Sequence, residues 1–223
     1  MKRFYFASAL LAAFLFVGSS SEAVHMTIAE RFAAEGAVQT GESGVYKFDK
    51  AHTFIGFKVK HMGLIDVPGF FRDFTGSINY DAKDAAKSSV EFTAKATSID
   101  TGVVPRDNHL RGPDFFDVDK FPDVIFKSTK VEKKGKDLYI TGDLTMKGVK
   151  KSISFEFDVT GFVPGNERSA AKMGVTADTK INRRDFGITY GNNLPSGVAA
   201  ISDNVHIDLQ IEANKENPTV EAK

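Results

Sequence analysis

DLYITGDLTMKGVKKSISFEFDV, residues Asp137 to Val159, sets Leu138, Ile140, Leu144 and Met146 in alternation with Tyr139, Thr141, Asp143 and Thr145. It then sets Ile153, Phe155, Phe157 and Val159 in alternation with Ser154, Glu156 and Asp158. Apolar residues at every second position give an extended chain one apolar and one wet face, because successive side chains of a strand point to opposite sides. Lys147-Gly148 separates the two runs, where glycine can supply the positive φ that a tight hairpin turn requires. The stretch predicts two long antiparallel strands.

The same signal recurs on both sides. Ile55, Phe57, Val59 and His61 alternate with Gly56, Lys58 and Lys60; Val90, Phe92, Ala94 and Ala96 alternate with Glu91, Thr93 and Lys95. Val205, Ile207, Leu209 and Ile211 alternate with His206, Asp208, Gln210 and Glu212, and Lys134-Gly135-Lys136 marks a second hairpin. Over Gly69 to Asp81, Phe70, Phe74, Ile78 and Tyr80 share one parity while Phe71 takes the other. A β-bulge near Arg72 and Asp73 is expected to reconcile them. No helical stretch is long enough for a crossover between parallel strands. The fold class is therefore all-β and antiparallel, and one-sided alternation favours a closed barrel of about eight strands, whose interior is either filled by side chains or holds one small ligand. Periodicity leaves both open.

Composition narrows the function classes. Lys+Arg 29 balances Asp+Glu 29, so no basic excess points to nucleic acid or to an anionic membrane surface. Phe 20 against Tyr 5 and Trp 0 suits a greasy interior better than a polar sugar-binding face. With Cys 0, disulfides, thiolate metal sites, cysteine nucleophiles and a lipoprotein anchor are excluded. Met1-Lys2-Arg3, the apolar run Phe4 to Val17 and the small residues up to Ala23 predict a secretory signal peptide over residues 1–23, cleaved after Ala23. The run is shorter than the ~20 residues of a membrane span. Residues 24–43 read as a flexible leader, 44–213 as the barrel domain and 214–223 as a polar C-terminal tail.

The motifs of the serine hydrolase elbow, the zinc metalloprotease helix, the phosphate-binding loop and the dinucleotide fold are all absent. His52 and His61 would face opposite sides of one regular strand and could not share a metal. A metal-dependent enzyme drawing on His61 and His109 stays open at this point, as does a barrel serving only as an interaction scaffold.

Several ordered motifs carry a resemblance. Asp49-x-x-His52-Thr53, Phe57-x-Val59-Lys60-His61-Met62-Gly63, Gly69-x-Phe71-x-x-Phe74-x-Gly76, Ser98-Ile99-Asp100-Thr101-Gly102, Arg106-Asp107-x-His109-Leu110 and Asp114-Phe115-Phe116-Asp117 resemble the YceI family of bacterial periplasmic polyisoprenoid-binding proteins. Gly142-Asp143-Leu144-Thr145-Met146-x-Gly148-Val149 and Asn182-Arg183-x-Asp185-Phe186-Gly187 continue the match, which runs from about Gly44 to Ala213. The resemblance implies a lipocalin-like barrel whose lumen takes a long isoprenoid chain (quinone, prenol or prenyl phosphate) for carriage, storage or stress protection. It also implies a periplasmic location and no established catalytic activity, so that no cofactor and no catalytic residue are expected. Two departures stand out: the long leader, and Lys150-Lys151-Ser152, which lacks the proline that often follows the family's Gly-Val turn.

On this reading Phe57, Val59, Phe74, Phe92, Phe126, Ile140, Phe155 and Phe157 point inward, and with His61, Phe115 and Phe116 form the ligand-binding lumen. The charged stretch Thr101 to Ser128 reads as a clasp or lid. Pro105 opens a helical turn, Asp107 complements its amino end, Gly112 ends it and Asp114 caps a second turn. Phe115 and Phe116 are expected to close over the lumen while Arg106 and Arg111 pair with nearby aspartates. Asn182 to Gly187 reads as a satisfied corner of the barrel. Transient contact with a membrane and a dimeric state are both compatible with this reading.

Overall fold

The computed structural model describes residues 41–216. The expected signal peptide with its cleavage point, nearly all of the leader and most of the polar tail lie outside the described residues.

The strands are β1 (Gly44–Phe48), β2 (Phe54–His61), β3 (Ile65–Phe71), β4 (Phe74–Tyr80), β5 (Ser89–Lys95) and β6 (Ile99–Asp100), then β7 (Asp123–Lys134), β8 (Asp137–Met146), β9 (Val149–Val163), β10 (Lys172–Asn182) and β11 (Ile201–Lys215). Among the described residues one α-helix, α1 (Val104–Arg111), lies between β6 and β7. The strands form a single antiparallel sheet that closes through the pairing of β1 with β11.

These segments occupy eight positions around a barrel. β1 and β2 share one position, since both pair with β11. β3 and β4 share the next, pairing with β2 and β1, and β5 and β6 share the third, pairing with β4 and β3. β7 to β11 complete the circle. The all-β, closed antiparallel barrel expected from alternation, and its lipocalin-like form implied by the family resemblance, are the observed fold, and closure leaves few free edges.

The expected bulge at Arg72 and Asp73 is instead a complete break between β3 and β4. The amide of Arg72 donates to Ser98 O, and Asp73 O accepts from the amide of Lys95, so the chain turns while staying bonded to its neighbour. The two intervening residues move the inward positions from odd to even numbers, and Phe71 and Phe74 both face inside. Elsewhere true bulges do the same work. Ser128 pairs with Gly142 and Lys130 with Thr141, which leaves Thr129 over and brings both Phe126 and Val131 to the inner face.

One seam of the wall is incomplete. β10 pairs with β11 over its whole length, but its pairing with β9 stops at Thr176 and Asp158. Residues 149–157 of β9 and 177–182 of β10 therefore face each other without a ladder.

Strand directions alternate, so the β2–β3 turn, the α1 segment, the β8–β9 turn and the 183–200 segment share one end of the barrel. The other end holds the start of β1, the end of β11 and the remaining turns. There Tyr46, Tyr80 and Phe162 pack ring against ring, with centroids 5.0 to 6.4 Å apart, and floor the lumen. Burial of Tyr46 pushes its phenol pKa up, and its hydroxyl donates to Glu42 O.

Candidate ligand-binding lumen

The inward faces enclose two chambers. The wider, about 400 Å³, lies at the end that carries α1; the narrower, about 100 Å³, lies toward the floor. Ile55, Phe92, Phe126, Phe155 and Leu209 border both chambers and form a waist between them. The upper chamber falls within the ~300–1,000 Å³ of small-molecule pockets and is likewise lined mostly by apolar side chains.

Phe57, Val59, His61, Phe115 and Phe116 border the upper chamber, Ile140 and Phe157 the lower, and Phe92, Phe126 and Phe155 both. Phe74, 3% exposed, borders neither chamber. It packs against Phe92 at a centroid distance of 6.4 Å and sits in a buried cluster with Ala94, Ala96, Val124 and Phe186, so its ring fills wall core. Glycines make room for the rings: Gly69 lies against Phe57 and Gly142 against Phe126.

Sequence reasoning passed over Phe71, which stacks 6.0 Å from Phe57 and 5.8 Å from Phe116, because its parity is inverted by the break after β3. Leu209 had the signal, lying on the apolar parity of β11. Ile188 and Tyr190 had none, since they stand in the irregular segment after β10.

The mouth of the upper chamber is covered by α1 and the turns that follow it. Asp107 is 6% exposed and accepts from the amide and hydroxyl of Thr101, so it ties the helix back to the preceding loop. Arg106 donates to the hydroxyl and carbonyl of Thr101. Arg111 donates to Thr97 O, Ile99 O and Asn108 Oδ1. The expected arginine–aspartate pairs are thus replaced by arginine–backbone bonds, because the carbonyls closing β5 and β6 lie within reach and Asp107 is already committed. Lys147 Nζ donates to Pro113 O and fastens the β8–β9 turn to the same cover. His109 faces Asp114 at 2.8 Å and meets Phe115 and Tyr190 edge-on at 5.0 and 4.8 Å. This aromatic trio joins the α1 segment to the 183–200 segment across the opening.

The corner at Asn182–Gly187 is satisfied internally. Arg183, 4% exposed, donates to Ser202 O, Ile188 O and Asp203 Oδ1, and Arg184 shares Asp203. Burial holds the Arg183 guanidinium below its ordinary pKa, and Asp203 opposes that shift. Gly187 ends the turn with a φ of 74°, which favours glycine.

Among the described residues, the group of three potential metal ligands that comes together is Asp49, His52 and Glu212, on the outside near the floor. It fits an internal cation better than a metal: Lys172 Nζ lies 2.5 Å from Glu212 and 3.8 Å from Asp49. His61 and His109 belong to no such group among the described residues.

Comparison with known proteins gives a consistent picture. Residues 46–213 match the YceI-like domain family. The chain is 37% identical over 170 residues to Protein YceI of Escherichia coli O17:K52:H18, covering 75% of this chain and 85% of that protein. Its fold is similar to the crystal structure of the Campylobacter jejuni YCEI protein, with TM-score 0.61 and 34% identity over 76% of this chain and 96% of that one. It is also similar in fold to a polyisoprenoid binding domain from Saccharophagus degradans implicated in plant cell wall breakdown, with TM-score 0.57 and 15% identity over 78% and 100% of the two chains.

Proposed function

The chain belongs to the YceI-like family, and on that premise we propose that its barrel is an exported carrier or store for an isoprenoid lipid. The tail runs from the mouth through the waist toward the floor, and the head group stays at the mouth. The observation that carries this reading is the apolar lumen itself, two chambers sharing one waist and opening beneath the α1 cover.

Magnitudes favour the tail as the source of affinity. Each buried CH₂ contributes ~0.8 kcal/mol, so a partly buried prenyl chain gains on the order of 10 kcal/mol before ordering costs. A solvent-exposed ion pair with a head group adds only about 0–1 kcal/mol. Quinone, prenol and prenyl phosphate therefore differ at the mouth, where His61, Thr101, Arg106 and His109 border the upper chamber. The N-terminal sequence supports a periplasmic location. Loading, holding and releasing a lipid need no catalytic group, and the polar side chains around Thr101 and Asp107 are engaged in holding the cover.

Mass spectrometry of lipid extracted from protein purified from its native host identifies the head group and tail. Delipidated protein titrated with a long-chain prenol is expected to saturate at about one site per chain, as one lumen implies. Failure to bind quinone, prenol and prenyl phosphate alike overturns the proposal.

A further inference from the structure

We propose that the mouth end of the barrel is a docking surface for a lipid bilayer, through which the lumen exchanges its ligand; the inference rests on the lipid-binding reading above. Among the described residues, seven of the ten exposed large apolar side chains lie at this end. Leu64 and Ile65, 77% and 62% exposed, stand with Met62 at the tip of the β2–β3 turn. Val198 leans over the same turn, within 3.2 Å of where a Cβ on Gly63 would stand. Val103 and Val104 project at the start of α1, and Tyr190 stands at the opening itself.

The opposite end is built differently. Its turns carry Lys134-Gly135-Lys136, Asp81 to Asp84 and Asn166-Glu167-Arg168, with Val163 as the exposed apolar residue. The β2–β3 turn has the same structural task as the turns at the floor, so turn formation does not account for exposed Met62, Leu64 and Ile65 at its tip, and covering the lumen does not require Val103 and Val104 to face outward. Exposed apolar side chains grouped around an opening mark an interaction surface.

The bilayer is the occupant that fits. A prenyl lipid is insoluble in water and resides in membranes, so the opening that admits it must meet one. The apolar tips come from separate projecting segments, which a deformable acyl-chain surface can accept together. Directly below the Leu64 tip lies the Lys60–Asp66 ion pair at 2.9 Å, and beside the 183–200 segment lies Arg184–Asp203 at 2.6 Å. Apolar tips above a charged collar match the depth profile of acyl chains beneath head groups.

The test compares the full chain, recovered as the cell processes it, with the double variant Leu64→Ser/Ile65→Ser and the control Val163→Ser. Vesicles of phosphatidylethanolamine and phosphatidylglycerol supply the membrane, and flotation reads the bound fraction. The double variant is expected to lose vesicle binding by on the order of tenfold or more, since two large apolar side chains no longer enter the bilayer. Its affinity for detergent-dispersed prenol should stay within about twofold of wild type, because neither residue borders the lumen. Val163→Ser should change neither. Wild-type protein that does not float, equal flotation of rim variant and wild type, or an equal loss in Val163→Ser overturns the inference. So does light scattering that shows the rim holding two copies together without vesicles. Loss of prenol binding in every protein, wild type included, strikes the lipid-binding reading, whereas flotation judges the rim separately.

Discussion

The ring of Phe126 lies on the backbone of Gly142: a Cβ at Gly142 would stand 2.5 Å from Phe126 Cζ and 2.6 Å from the carbonyl oxygen of Lys127. Since one of those atoms is backbone, moving the Phe126 ring alone does not make room, and Gly142→Ala must part β7 from β8 as well as displace Phe126 at the waist. The expected loss is about 1–3 kcal/mol in denaturant unfolding, with weaker prenol binding because Phe126 borders both chambers. Wild-type stability and affinity in the alanine variant would show that this contact does not shape the lumen.

Acid should loosen the barrel outside the lumen, at Asp49. The His52 ring at 3.0 Å and the Ala51 amide hold its carboxyl at about 2, below the ordinary 3.8. A carboxylate depressed in the folded state contributes stability that is fully present above its unfolded pKa and lost as pH falls through the folded one. Asp49→Asn is therefore expected to lower stability at about pH 7, by on the order of 1 kcal/mol since His52 is largely exposed. The gap to wild type should close between 3.8 and about 2. Urea unfolding across that range checks it; a gap independent of pH would assign the effect to packing.

Hydrogen exchange should find the seam. The amides of β10 that face β11 sit in an unbroken ladder, whereas those of residues 149–157 that face β10 have no strand partner. The latter should exchange orders of magnitude faster. Uniform protection across β9 would show that the seam is closed in solution.

How much of this was legible in the sequence depended on where parity survived. Leu138 to Met146 and Ile153 to Val159 alternate without interruption, and both strands face as read. The parity switch between Phe71 and Phe74 does mark an irregularity at Arg72 and Asp73, but it does not tell a one-residue bulge from a break between strands, nor that Phe71 reaches the lumen. Phe74 was placed on the correct face but at a level where the wall is packed solid, which parity cannot distinguish from cavity. Tyr190 and Ile188 had no pattern to reveal them, since irregular backbone carries side chains to the mouth by tertiary contact alone. The cover's helix was readable from Pro105 and Gly112, but its arginine partners were not: backbone carbonyls leave no mark in composition.

Truncating three phenylalanines separates ligand site from ordinary core. Phe92 lies at the waist against Phe48 and Phe74, at 6.3 and 6.4 Å. Phe155 lies at the waist against Phe126, at 5.7 Å, whereas Phe115 belongs to the cover, where its ring meets His109 and Tyr190 at 5.0 and 4.9 Å and packs on the edge of the buried core. In a filled core each Phe→Ala change costs ~3–5 kcal/mol whether or not lipid is present. A residue bordering an existing cavity has fewer neighbours to lose, so Phe92→Ala and Phe155→Ala should cost less than that in empty protein. Both should also reduce the rise in Tm that prenol gives wild type, because a ligand stabilises only through the folded state it binds. Phe115→Ala should show the largest loss of affinity relative to stability, since the cover contributes little to the wall and closes over the chain. Melting of all three variants with and without prenol decides the matter: equal losses of Tm with unchanged affinity would mean that these rings serve the fold alone.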